Sequence, residues 1–138
     1  MVIVMSTASP RHLELSLLLL RLSIFLVMFV WTLDKFVNPA HSGRVFEKFY
    51  GIGGLSPTVF TVMGALQLIL VVAFALGVQK RLTYGLVLLL HAGSTLSSWA
   101  QYLDAFNNLL FFAAWPMFAA CIALYLLRDH DRLWSLGK

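Results

Sequence analysis

Long apolar runs alternate along this chain with short polar or glycine–proline breaks. Residues 13–37, 57–78, 82–102 and 106–127 are dominated by leucine, valine, alanine and phenylalanine. Each is close to the ~20 residues that a helix needs to cross a bilayer. Residues 39–50 have another pattern. There Val45, Phe46, Phe49 and Tyr50 share one side of a helix, and Arg44, Glu47 and Lys48 lie elsewhere. Such a segment lies in a membrane interface or caps the mouth of a bundle. Asn38-Pro39 and Ser56-Pro57 each place a capping residue before a proline at the first helical position, and Gly51 can close the short helix. Asp104 is a candidate cap for the last run. The links 77–81 and 103–107 are short, which makes the helices they join antiparallel neighbours. The expected fold is all-α: a single domain of four transmembrane helices in an antiparallel bundle, with a short external helix between spans one and two.

Composition supports that reading. The chain of 138 residues is 60% hydrophobic and 12% charged, with a mean hydropathy of +0.85. A soluble domain carries roughly twice that charged fraction. The leucine run after Arg11 continues past signal-peptide length to Leu33 without a small-x-small cleavage site, so it reads as a retained first span. The net charge of +4 is spread over the segment ends, which argues for orientation in a membrane and against nucleic-acid binding. Arg11, Lys80, Arg81, Arg128, Arg132 and Lys138 fall on one side, and Lys35, Arg44 and Lys48 on the other. That balance places both termini in the cytoplasm of a bacterial inner-membrane protein, with the 39–50 helix outside. The single cysteine, Cys121, excludes an internal disulfide and a thiol–disulfide enzyme built from this chain alone.

Several polar residues sit inside the apolar runs, where an unpaired polar group is costly. His91 lies near the middle of the third run. Ser94 or Thr95, Ser98, and Gln101 or Tyr102 follow it on one helical side. Gln67 lies at similar depth in the second run, where Thr61, Gly64 and Gln67 form a small-and-polar face suited to close packing. Arg21, about two turns into the first run, either snorkels to the near interface or faces the bundle. Asp34, Lys35, Gln101, Asp104, Asn107 and Asn108 gather at the opposite end, so the whole reads as a polar seam opening outward. His91 has three candidate roles: an interhelical hydrogen bond to Gln67 or a serine, donation to the carbonyl of a quinone headgroup, or ligation of haem or a metal. Haem held by two histidines needs a second buried one, and His12, His41 and His130 all fall at or beyond the span ends. The candidate ligand-binding residues are His91, Gln67, Arg21, Ser94 and Ser98, with Lys35 and Asp34 toward the outer end. Trp115-Pro116 predicts a kink within the fourth span, and the charged stretch 128–134 is expected at the surface. Nucleotide-binding loops, Ser-His-Asp ordering and H-E-x-x-H are all missing from the sequence.

Arg21-Leu22 near the start of the first span, Lys35-Phe36 at its end, and Gly64, Gln67 and Gly77 before Lys80-Arg81 resemble the pattern of the DoxX-like membrane proteins. The resemblance covers residues 20–127. It departs at Thr32, where that family often has glycine, and at Gln67, where an acid is common. The resemblance implies a small four-helix membrane protein. Some members are similar to small subunits of thiosulfate:quinone oxidoreductases, and others assist redox-protein maturation or receptor assembly. The expected function is an accessory subunit linked to quinone or respiratory redox metabolism. An assembly protein without chemistry of its own and an oligomeric carrier of ions or solutes are the alternatives. Expected partners are the bilayer and another membrane or periplasmic protein, or a second copy of the chain.

Overall fold

The apolar runs do become helices, but their boundaries move for local reasons. The computed structural model describes residues 10–137, so the segment before Pro10 and the Lys138 charge used for orientation lie outside the described residues. Helix α1 spans Pro10–Val37, α2 Pro39–Tyr50, α3 Pro57–Ala75, α4 Lys80–Ser97, α5 Trp99–Leu103 and α6 Ala114–Leu126. Single 3₁₀ turns occupy Ala105–Asn107, Leu109–Ala113 and Arg128–His130, and no strand occurs among the described residues.

The proline starts behave as expected. Asn38 accepts from the His41 amide through its side chain at 3.4 Å, with Pro39 in the first turn of α2. Gly51 closes α2 in the left-handed region at φ 68°, its amide bonded to Glu47 O at 3.2 Å. Pro57 begins α3, but Ser56 makes no side-chain cap bond. Asp104 likewise caps nothing, and its carboxylate takes the Asn107 side-chain amide instead. The third run is one helix only to Ser97, where the chain breaks and restarts as α5. The fourth run begins as 3₁₀ turns and becomes α-helical only at Ala114. Pro116 therefore sits in the first turn of α6, directly after the 3₁₀ segment, where a proline is better tolerated than in mid-helix.

Helix α1 packs most heavily on α3, and α4 on α6. The α1–α6 and α3–α4 contacts close these two pairs into a four-sided bundle, with α2 laid across α1 and α3. The buried side of α1 reads Leu17, Leu18, Arg21, Ile24, Met28, Thr32 and Lys35, a helical stripe. Leu17, Ile24 and Met28 of this stripe meet Val71 and Phe74 of α3, Tyr84 and Val87 of α4, and Cys121 and Leu124 of α6 in one core. Gly64 marks the closest approach of α1 and α3: a Cβ there would lie 2.9 Å from Phe36 Cζ and 3.3 Å from Lys35 Cβ. Of the face expected to pack closely, only Gly64 does so: Thr61 is exposed and Gln67 half-buried. Around the bundle, Leu19, Leu26, Leu66, Ile69, Leu89 and Leu110 stay more than half exposed. Three segments, Pro10–Val37, Pro57–Ala75 and Leu109–Leu126, are helical, long and apolar enough to cross a membrane. Helix α4, which carries Lys80, Arg81, His91, Ser94 and Thr95, is not among them.

Candidate functional site

The polar residues of the runs fall into separate groups rather than one seam. Between Arg21 and Thr32, the buried stripe of α1 is apolar, formed by Ile24 and Met28.

The first group closes the end of the bundle where α1 begins. Arg21 and Asp131 are both fully buried (0% exposed) and form an ion pair with Nη1 2.8 Å from Oδ1. Tyr84, on the first turns of α4, donates its hydroxyl to the other carboxylate oxygen at 2.5 Å and accepts from Arg21 Nη1 at 3.3 Å. Arg21 Nη2 also donates to the carbonyls of Leu133 and Trp134, at 2.5 and 3.0 Å. Lys80, itself buried, donates to the Asp131 main-chain carbonyl. Two cations and a phenol thus converge on one acidic residue, the only way such charges are kept away from water. Arg21 is bundle-facing, not snorkelling. The stretch 128–134, expected at the surface, is pulled inward at Asp131, because that carboxylate is the anion that Arg21 requires.

The second group lies at the opposite end, where α1 passes into α2. His41 Nδ1 lies 2.6 Å from Asp34 Oδ2, which also accepts from Ser42 Oγ at 3.3 Å. The Trp31 ring stacks on the imidazole with centroids 5.8 Å apart. Asn38 breaks the helix, yet α2 restarts soon enough that residues seven positions apart still meet. Lys35 is largely buried, its stem beside Gly64.

The third group is the His91 stripe. His91 is half-buried, and its Nδ1 lies 3.1 Å from the Val87 carbonyl one turn back. That bond needs the proton on Nδ1, which leaves Nε2 of the neutral ring an acceptor. Gln67 is also half-buried, but among the described residues no hydrogen bond joins it to His91. Of the residues that follow His91, the structure turns Thr95 and Ser98 inward and leaves Ser94 exposed. The Ser94 carbonyl accepts from Ser97 and Ser98, and the Tyr102 hydroxyl donates to Thr95 O at 2.7 Å.

Of the candidates read from sequence, Arg21 and Asp34 stand in bonded clusters at opposite ends, Lys35 adjoins the second of these, and His91 lies between them. Tyr84, Lys80, Asp131, His41 and Ser42 were not among the candidates. Among the described residues, no group of His, Cys, Asp and Glu is arranged to hold a metal ion. Open, apolar grooves run on the outside of the bundle, along Leu68, Val72 and Leu76 of α3 and along Leu82, Leu86 and Leu89 of α4. Compared with known proteins, the chain matches no family model, no curated protein and no solved structure.

Proposed function

We propose that the chain is a small multi-pass membrane protein that serves as an accessory subunit of quinone-linked redox metabolism, presenting His91 to the headgroup of a lipid-soluble carrier. In this reading four segments cross the bilayer: α1, α3, α4 continued by α5, and the 3₁₀-to-α6 segment. Helix α2 then lies at the outer face, and both ends of the chain lie in the cytoplasm. The observation that carries the reading is the imidazole geometry. The Val87 carbonyl holds the Nδ1 proton, so Nε2 is left to accept. The partner that suits a bare acceptor is the hydroxyl of a reduced carrier, not the carbonyl of an oxidised one. His91 therefore favours the quinol over the quinone, whereas the candidate role read from sequence was donation to a quinone carbonyl. The test is extraction of lipids from protein purified in mild detergent, with a His91→Ala strain assayed for membrane electron transfer. Bound quinol lost in the variant at an unchanged melting temperature supports the reading. No bound quinol in the wild type, with electron transfer unchanged in the variant, rejects it.

A second reading, an assembly protein without chemistry of its own, is favoured by the outward charged face of α2. Phe46 packs on Phe60 and Phe49 beside Phe111, so these aromatics hold α2 to its own chain. Arg44, Glu47 and Lys48 remain exposed for a partner. Under this reading, Arg44→Glu with Lys48→Glu abolishes a co-purifying partner, whereas His91→Ala changes nothing but stability.

A further inference from the structure

The segment that follows α6 folds back across the end of the bundle and is held almost entirely by polar contacts. Asp131 enters the site formed by Arg21, Tyr84 and Lys80. Beyond it, the Leu136 amide donates to Leu76 O at 2.9 Å. Ser135 packs on Gly77 so closely that a Cβ on that glycine would lie 2.6 Å from the serine oxygen. Three features show that this docking is imperfect. Arg21 Nε is buried with no partner among the described residues, and Asp131 Oδ1, although 2.8 Å from Nη1, receives no well-directed hydrogen bond. Asp131 thus meets the edge of the guanidinium at one nitrogen instead of making the two parallel bonds that a carboxylate and an arginine can form. Trp134 is held at φ +51°, a left-handed conformation rare for a bulky residue, and its ring is exposed. Finally, among the described residues the carboxylate of Asp131 pairs with Arg21 alone, while the buried Lys80 ammonium reaches only the main-chain carbonyl of Asp131.

We infer that Arg21 and Tyr84, with the buried Lys80 ammonium adding positive charge beside them, form a carboxylate-binding socket, that Asp131 is its tethered occupant, and that release of the tail opens the socket to a carboxylate from outside the chain. The class of ligand follows from shape. One oxygen lies on Arg21 and the other on Tyr84, which fits a planar two-oxygen anion in a closed site. An untethered carboxylate is free to turn and engage Nε as well, which the backbone of the tail denies to Asp131. The carboxylate can be a small acid or an acidic side chain of a partner protein.

The test uses the full chain in mild detergent with Asp131→Ala. Hydrogen exchange is followed at the Leu136 amide, and thermal unfolding is followed with added formate, with a short aspartate-containing peptide, or with chloride at equal ionic strength. The tail should come free, so that Leu136 exchanges about tenfold faster or more while the amides of α1 and α3 keep their protection. Formate or the peptide should raise the variant's midpoint by about 4 °C over chloride and leave the wild type unmoved. Rescue by formate identifies a small acid as sufficient, and rescue by the peptide alone identifies an acidic side chain. Unchanged Leu136 protection, or no rescue by either, overturns the inference. Should Asp131→Ala fail to fold, Asp131→Asn takes its place. Recovery of its folding by formate or the peptide then supports the socket, and failure of both to exceed chloride overturns it.

Discussion

A guanidinium with no water contact needs a counter-charge, and Arg21 finds one in Asp131. Removing one member of a buried pair leaves the other uncompensated, at a cost of about 3–5 kcal/mol. Arg21→Met should therefore lower unfolding stability by about that amount, and Arg21→Met combined with Asp131→Leu should recover most of the loss. Denaturant titrations of the four proteins in the double-mutant cycle check this, and additive losses would count against the pair. Tyr84→Phe keeps the ring in the core beside Phe74 but removes a bond to a charged acceptor, worth about 1.5–3 kcal/mol. At this scale the sequence was half legible. Arg21 inside an apolar run signalled a charge that must be paired or reach the interface, and left those two outcomes open. Asp131 gave no such signal. It lies in a charged stretch without helical periodicity, and only the folded chain brings it to Arg21. His41 was set aside as beyond the span end, although two helical turns from Asp34 was a readable spacing once α2 was seen to restart at once.

At the scale of elements, the punctuation residues were the readable part. Both helices start at their prolines and Gly51 stops α2, although only Asn38, and not Ser56, caps through its side chain. The breaks at Ser98 and around Leu109–Ala113 were not readable, since no proline or glycine marks them and apolar runs have the same appearance in α and 3₁₀ form. The position of Pro116 yields a discriminating prediction. In the first turn of α6 the proline costs little, so Pro116→Ala should change stability by less than about 1 kcal/mol. A proline in mid-helix costs about 3 kcal/mol, and its replacement would bring a gain of that order. Gly64→Leu belongs to the opposite case. The α1 backbone side of that contact, at Lys35 Cβ, cannot move aside as the Phe36 ring can. The larger side chain should cost about 1–3 kcal/mol or separate α1 from α3, measurable as a lower thermal midpoint.

For the whole molecule, the all-helical class and the presence of helices long and apolar enough to cross a membrane were legible from run length and charge alone. The packing order was not, since any four antiparallel helices have the same sequence pattern. Bonds from Arg21 to Leu133 and Trp134 bring the first and last helical segments to the same end of the bundle. If that end faces the cytoplasm, cysteines introduced at Arg11 and Arg132 in a Cys121→Ser background should both react only with a membrane-permeant thiol reagent in intact cells. A cysteine at Lys48 should react with an impermeant one. Opposite behaviour at Arg11 and Arg132 would overturn the shared end.

The contact between Arg21 and the tail also sets a clock. Its partners are made 112 positions apart in the chain, which at about 5–20 residues per second is roughly 5–20 s of synthesis. Over that interval the arginine has been translated and its acid has not. A nascent chain stalled at Leu127 should thus keep Arg21 open to water, and completion and release of the chain should close it. Closure of this bundle is then an event of the last moments of translation, whatever the order in which its helices enter the membrane.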